Sequence, residues 1–110
     1  MKNRIVLVPF PFDDLSQAKV RPAVCLTSEI QPYGHVAFIT SQIPSKRSNT
    51  DFVINHTDGD FALNGLKVSS TIRLHRLMTV SKALIRRELG ELSPRQRSEI
   101  DIRLRALFEI

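Results

Sequence analysis

Hydrophobic residues along the chain fall into short runs that are separated by turn-forming residues. β-Branched residues are frequent in these runs, and proline or glycine flanks several of them, which is typical of β-strands. We predict strands on this basis at Ile5–Val8, Ala23–Thr27, Val36–Ser41, Phe52–Ile54, Val68–Ile72 and Ile85–Leu89. The predicted elements of this part of the chain are therefore short β-strands.

The last part of the chain changes to a helical period. Ser93, Pro94 and Gln96 form a predicted capping box with proline at the first helical position. Apolar residues then recur at helical spacing, at Ile100, Leu104, Leu107 and Phe108. Opposite charges four residues apart, as at Glu99 and Arg103, favour ion pairs on the other face. We predict a mainly β fold (α+β) in which a C-terminal helix packs on the strands.

Length and charge narrow the range of functions. The 110 residues fit one domain, and we expect a single domain over residues 1–110. The net charge of +5 is uneven, with six basic and six acidic residues in Met1–Gly65 but ten basic and five acidic in Leu66–Ile110. Such an excess attracts polyanions such as RNA or acidic protein segments. On charge alone, an ordinary basic surface remains the simpler interpretation.

The expected location is the cytoplasm. Cys25 is the single cysteine, so no internal disulfide can form, and a reducing compartment suits the chain. The start of the sequence lacks the pattern of a signal peptide, and no apolar stretch approaches the length of a membrane span. We therefore expect no membrane contact.

Few patterns in the sequence carry chemistry by themselves. Residues 56–60 alternate an imidazole with two carboxylates, but the Asp58-Gly59 pair predicts a turn, and we expect no metal and no cofactor. Arg21 precedes Pro22, which restricts its backbone and would present the guanidinium from a stiff strand end. Such an arginine suits a phosphate group, but from the residues alone a surface ion pair is the better explanation.

Several segments, taken in order, resemble the MazF/PemK family. An apolar first strand in Ile5–Phe12 precedes a long loop and the Arg-Pro-Ala sequence at the end of Leu15–Val24. Phe38–Ile43 is similar to the end of the family's third strand, and Gly65–Leu74 contains the expected Ile-Arg pair. The layout of Val80–Ile110 is also similar. No single segment is specific, but their order is.

The resemblance implies an SH3-like β-barrel of the MazF/PemK/CcdB type, assembled as a homodimer. It implies the toxin of a type II toxin–antitoxin system, an endoribonuclease that cuts single-stranded RNA such as mRNA without metal. By the motif match, Arg21 and Thr40 take the places of the catalytic arginine and threonine, and Ser41 shares the task of Thr40. We expect further polar residues to contact RNA: Gln17, Lys19, Gln42, Lys46, Arg47 and Arg73.

The chain also departs from the family pattern. Ser16 stands where many members have a glutamate, and His75 follows the Ile-Arg pair where many have an aspartate. No general base is therefore assigned. The expected protein partner is a cognate antitoxin, whose acidic disordered segment would fold over the basic groove and cover Arg21.

Two other functions remain open. The fold is also that of the CcdB gyrase poisons, but their short tail contains tryptophan, whereas this chain has none and ends at Phe108-Glu109-Ile110. A non-catalytic nucleic-acid-binding module of the SH3-like type would explain the charge asymmetry equally well. Cleavage products distinguish an enzyme from such a module.

Overall fold

The computed structural model describes residues 1–10, 19–28, 30 and 32–110. Over these residues the strands are β1 (Arg4–Phe10), β2 (Lys19–Cys25), β3 (Tyr33–Thr40), β4 (Asp51–Ile54), β5 (Ser70–Ser81) and β6 (Arg87–Glu91). A one-turn helix α1 (Phe61–Asn64) precedes β5, and a 3-10 turn (Lys82–Leu84) follows it. The chain closes with the helix α2 (Pro94–Phe108).

The strands form one antiparallel sheet in the order β4-β5-β3-β2-β1-β6. The sheet curls into a half-barrel, so the predicted mainly β fold with a C-terminal helix is confirmed. Ile5 and Val24 face a core that also contains Ile100 of α2. Val6 and Ala23, their chain neighbours, face a second apolar cluster, because successive side chains of a strand point to opposite faces.

The long strand β5 contains a wide bulge. Ile72 pairs with Ile39 of β3 and Leu77 pairs with Ala37, so Arg73–Arg76 lie opposite Phe38 alone. Bulges of this kind redirect side chains and are frequent next to active sites. The predicted strand Val68–Ile72 covered only the beginning of β5, because the polar residues of the bulge interrupt its apolar pattern.

Strand β2 begins earlier than predicted. It starts at Lys19, so Arg21 lies within the strand, opposite Val8 of β1, and not at its beginning. The described ladder between β2 and β3 ends at the pair Ala23–Phe38, next to Pro22. Proline has no N–H to donate, which explains why the pairing ends there. The two strands diverge beyond this point.

A group of polar side chains, which we call the α2 clamp, fixes the beginning of α2. The predicted capping box is present: Gln96 N donates to Ser93 Oγ (3.2 Å), and Ser93 N donates to Gln96 Oε1 (2.8 Å). The amides of Gln96 and the buried Asn64 are joined by two reciprocal hydrogen bonds of 2.7 and 2.9 Å. Asp60 accepts from Ser93 Oγ and from both Nε and Nη2 of Arg95.

Three other predictions concern the turn at residues 56–60, an ion pair on α2 and the packing of Phe108. Residues 56–60 form the predicted turn, with Asp58 accepting from Asn55 N at 3.0 Å. The predicted ion pair between Glu99 and Arg103 is present. Phe108 was assigned to the packed face of α2, but its exposed fraction is 56%, so that assignment was wrong. The described part of the chain contains no helix long and apolar enough to cross a membrane.

Candidate active site

A cleft of about 270 Å³ opens where β2 and β3 diverge, and the bulge of β5 forms its far wall. The residues that line it come from these three strands and the turn after β3: Arg21, Phe38, Ile39, Thr40, Ser41, Gln42, Arg73 and Arg76. Apolar Phe38 and Ile39 are buried and form the base, whereas the remaining side chains are polar. The cleft is therefore a polar, positively charged opening on a rigid apolar base.

The register of the sheet brings Arg21 and Thr40 together. Thr40 pairs with Thr71 of β5, and Ala23 pairs with Phe38 two residues before Thr40. Arg21 lies two residues before Ala23, just beyond the end of this ladder. Arg21 and Thr40 both line the cleft that opens there.

Hydroxyl groups lie at the end of β3. Thr40 Oγ1 accepts a hydrogen bond from Gln42 N at 3.2 Å, which holds the turn against the strand end. A threonine hydroxyl that accepts one bond can still donate its own hydrogen. Thr40 is half-buried, and the adjacent Ser41 is exposed. This end of β3 can therefore donate hydrogen bonds to an oxygen anion in the cleft.

The charge of the cleft is strongly positive. Among the described residues, Arg21, Arg73 and Arg76 line it, and Asp51 of β4 supplies a carboxylate that binds Arg73. Arg73 Nε donates to Asp51 Oδ1 at 3.2 Å. Burial opposes the charge of Asp51, but the Ser48 backbone N–H and the Arg73 guanidinium outweigh it and hold the pKa of Asp51 below its ordinary value. One of the three cations is thus paired with an anion that remains ionised.

The structure brings part of the predicted set together. The members that line the cleft are Arg21, Thr40, Ser41, Gln42 and Arg73. Lys19 is exposed at the start of β2, and Lys46 is exposed in the segment between β3 and β4. Arg47 lines a different cavity, between that segment and α2. Gln17 lies outside the described residues.

Sequence reasoning did not select Arg76. No local sequence pattern indicates that Arg76 lines the cleft, because only the bulge of β5 turns both Arg73 and Arg76 toward the end of β3. His75 lies between them, exposed, and its Nδ1 is 2.8 Å from Thr50 Oγ1. The arginine-rich composition of the second half of the chain was the one hint available.

Guanidinium groups and hydroxyls held by rigid strands suit a phosphodiester. The planar guanidinium offers paired N–H donors that match phosphate oxygens, and its charge stabilises the further negative charge of a pentacoordinate phosphorus. Among the described residues, no group of three His, Cys, Asp or Glu side chains is arranged to hold a metal ion. The cleft can bind an anion and stabilise the build-up of charge on it.

Comparison with known families identifies the class of small toxins to which this fold and cleft correspond. The family model described as PemK-like, MazF-like toxin of type II toxin–antitoxin system matches residues 2–108. The chain therefore belongs to this family, and the family resemblance seen in the sequence is confirmed. Comparison with curated protein sequences gives no significant match.

Solved structures share the fold at low sequence identity. The Mycobacterium tuberculosis toxin MazF-mt6 superposes with a TM-score of 0.76 and 21% identity, covering 97% of each chain. A mycobacterial endoribonuclease in complex with its cognate antitoxin gives 0.77 and 11%, covering 100% of this chain and 95% of the other. MazF in the MazE–MazF complex of Deinococcus radiodurans gives 0.74 and 14%, covering 98% and 94%. These likenesses establish the fold.

Proposed function

We propose that this toxin is an endoribonuclease that cuts single-stranded RNA such as mRNA in the cleft between β2, β3 and β5. The observation that carries the proposal is the convergence of Arg21, Thr40 and Ser41 with Arg73 around one cleft. Family membership supports it, because two of the structurally similar proteins are mycobacterial endoribonucleases. The basic lining suits the phosphate backbone of RNA.

The proposed reaction is an internal transesterification. The 2′-oxygen of a ribose attacks the adjacent phosphorus, the bond from phosphorus to the 5′-oxygen breaks, and the 2′-hydroxyl proton leaves. The products are a 2′,3′-cyclic phosphate and a 5′-hydroxyl, which takes up one proton. No metal or cofactor enters this scheme, and the group that accepts the 2′-proton is not assigned.

Each residue has a distinct role in this scheme. Arg21 binds the scissile phosphate and stabilises the charge of its pentacoordinate state. It stays protonated throughout, because a guanidinium does not lose its proton in a protein. Thr40 orients a non-bridging oxygen by donating its hydroxyl hydrogen, and Ser41 shares this task. Gln42 and Arg73 hold the flanking RNA, and Lys19, Lys46 and Arg47 contact RNA further out. Gln17 is also proposed to contact RNA.

We further propose two protein partners. Two of the structurally similar toxins are complexed with an antitoxin, which supports a cognate antitoxin that binds the basic cleft through an acidic segment.

A second copy of the chain would cover exposed apolar side chains near the end of α2. Phe108 is 56% exposed and lines an apolar cavity with Leu77, and Ile110 is 82% exposed. Sedimentation at micromolar concentration should give twice the 12.5 kDa monomer mass.

The chemistry of the RNA ends tests the enzymatic proposal. A long single-stranded RNA is incubated with the protein in EDTA, and the new 5′ ends are mapped with and without prior kinase treatment. We expect cuts at a short recurring motif, with 5′ ends that can be ligated only after phosphorylation. Arg21→Ala should abolish them, whereas Arg105→Ala, which removes an equal charge from the exposed face of α2, should not.

Each other outcome identifies an alternative. RNA that is retarded in a gel but remains intact indicates a non-catalytic nucleic-acid-binding module. Intact, unbound RNA together with inhibited DNA supercoiling by gyrase indicates a poison of the CcdB type. Cuts that EDTA abolishes contradict the metal-independent scheme.

A further inference from the structure

The carboxylate of Asp51 is a buried group that the proposed reaction does not use. Asp51 is 5% exposed, on the first residue of β4, and it does not line the cleft. It accepts hydrogen bonds from Ser48 N at 3.2 Å, from Ser48 Oγ at 3.3 Å and from Arg73 Nε at 3.2 Å. A buried carboxylate is stable only when such partners bind it, so these hydrogen bonds hold the Asp51 side chain in one position.

Arg73, which binds Asp51, also lines the cleft. Arg73 is held at Nε by Asp51, and its side chain is 35% exposed at the wall of the cleft. A guanidinium that is fixed at Nε retains two terminal nitrogens, which can bind a phosphate. A free arginine side chain loses much rotational freedom when it binds, and a side chain that is already held loses less.

The same carboxylate is linked to the segment between β3 and β4. Ser48 Oγ, which donates to Asp51, lies 2.7 Å from Thr50 Oγ1, and Thr50 Oγ1 lies 2.8 Å from His75 Nδ1 on the bulge. Leu74 N donates to Thr50 O at 2.9 Å. Asp51, together with Thr50, therefore joins the segment at residues 43–50 to the bulge of β5.

From this geometry we infer that Asp51 is a positioning residue for RNA: it holds the guanidinium of Arg73 at the cleft wall and fixes the adjoining segment beside it. The inference rests on the proposed function, since it takes RNA as the ligand of the cleft. It assigns a role in nucleic-acid binding to an acidic residue. Asp51 itself makes no contact with RNA.

Whether Asp51→Asn strengthens or weakens RNA binding distinguishes a positioning role of Asp51 from a purely electrostatic one. Asp51→Asn removes a negative charge next to a site for a polyanion, so Coulombic attraction alone predicts tighter RNA binding. Loss of positioning predicts weaker binding, because Arg73 must then be ordered at the moment RNA binds. A fall in affinity would therefore oppose the change in charge.

The binding experiment uses the full chain and an RNA that cannot be cut. The probe is a long single-stranded transcript made with 2′-fluoro nucleotides, which has no 2′-hydroxyl to attack. We expect Asp51→Asn to weaken binding about ten-fold, the size of one charge-assisted hydrogen bond. The slope of log affinity against log salt should also fall by about 0.7, the value for one lost contact to single-stranded RNA. Asp101→Asn on α2 makes the same charge change on an exposed side chain and should not weaken binding.

Two further variants keep the inference testable if Asp51→Asn folds poorly. Arg73→Lys keeps the positive charge of a partly exposed side chain but removes the Nε–H that donates to Asp51. The RNA affinity of this variant should fall about as much as that of Asp51→Asn. Asp51→Asn should have little added effect in an Arg73→Ala background, because a residue that acts through Arg73 has nothing left to position. Additive losses would indicate a general structural role instead.

A measurement without RNA separates the two proposals. The Arg73 Nε–H should give a slowly exchanging signal in ¹H–¹⁵N spectra of the wild type, and Asp51→Asn should abolish it. RNA binding that is unchanged or stronger in a folded Asp51→Asn variant would overturn the positioning role alone. A wild-type protein that binds no RNA but shows the protected signal would contradict the proposed function, and with it the ligand assigned here.

Discussion

Arg95 in the α2 clamp and Arg73 in the cleft each bind an aspartate, but the two regions balance charge in opposite ways. In the clamp, Asp60 and Asp58 both lie within ion-pair distance of Arg95, at 2.9 and 3.7 Å. Three arginines line the cleft, and Asp51 binds one of them, Arg73. The clamp therefore has more carboxylates than guanidinium groups, whereas the described lining of the cleft has more guanidinium groups than carboxylates.

The two regions also differ in how fully their polar groups are bonded. Both amide groups of the Asn64–Gln96 pair are bonded, with a further bond of 2.8 Å from Asn64 to Glu91 O. In the row of residues behind the cleft, Thr71 Oγ1 is one of the buried polar atoms without a partner in the described part of the chain. The comparison indicates that the clamp stabilises the fold through polar groups that are bonded to one another.

The largest effect should come from the cleft and should leave stability unchanged. Thr40→Val keeps the shape of the side chain but removes the hydroxyl that we propose to orient the phosphate. We expect the rate of RNA cleavage to fall about 10²–10³-fold, as for the loss of one preorganised donor. Single-turnover cleavage under excess enzyme measures the rate. A variant that cleaves at the wild-type rate would remove Thr40 from the mechanism.

The next effect should come from the clamp and should leave activity unchanged. Gln96→Ala removes both hydrogen bonds between Gln96 and the buried Asn64 amide and opens the capping box. We expect the free energy of unfolding to fall by about 2–3 kcal/mol, because the buried Asn64 Oδ1 loses its donor while Asn64 Nδ2 keeps only Glu91 O. Urea unfolding checks this, and Ser98→Ala on the exposed face of α2 should change it little. If Gln96→Ala lowers the activity of the folded protein, the separation of the two regions fails.

Acid should weaken the clamp at a defined pH. Hydrogen bonds from Arg95 and Ser93 lower the pKa of Asp60 from 3.8 to about 2. Its folded-state pKa is depressed, so its contribution is complete above the unfolded value and is lost as pH falls from about 4 toward 2. We expect a contribution of about 1 kcal/mol, since the pair is partly solvated. The stability difference between wild type and Asp60→Asn should therefore shrink over that interval, and a constant difference would contradict the assignment.

The smallest effect concerns an ion pair on the surface of α2. Glu99→Gln removes the partner of Arg103, four residues along the helix. We expect a loss of about 0.3–0.5 kcal/mol in the free energy of unfolding that disappears in high salt. Urea unfolding at two salt concentrations measures it. A loss above about 1 kcal/mol would contradict this expectation. It would indicate that Glu99 also holds the Arg103 guanidinium over the Phe52 ring, whose centroid lies 5.1 Å away.

Local signals in the sequence predicted local structure well. The capping box at Ser93 and the turn at Asp58 depend on residues within four positions of each other, and both were predicted from the sequence. The strand β5 was predicted too short, because Arg73, His75 and Arg76 interrupt the apolar pattern at the bulge. A strand that carries a site on a bulge lacks the period by which strands are recognised.

The candidate site was predicted only in part, for the same reason. Arg21 and Thr40 were found through family resemblance, since neither stands out by its chemistry alone. Arg76 and Asp51 depend on contacts between distant strands: Asp51 pairs with Arg73 across the β4–β5 ladder. No local pattern indicates which carboxylate of the chain will be buried beneath a cationic cleft.

The role of Arg21 is decided by the single-turnover rate of RNA cleavage by Arg21→Ala, measured together with the urea midpoint of the same sample. Arg21 lies in the cleft and outside the clamp. We predict a rate at least about 10²-fold below the wild type and an unchanged midpoint. A folded Arg21→Ala protein that cleaves RNA at the wild-type rate would contradict this role.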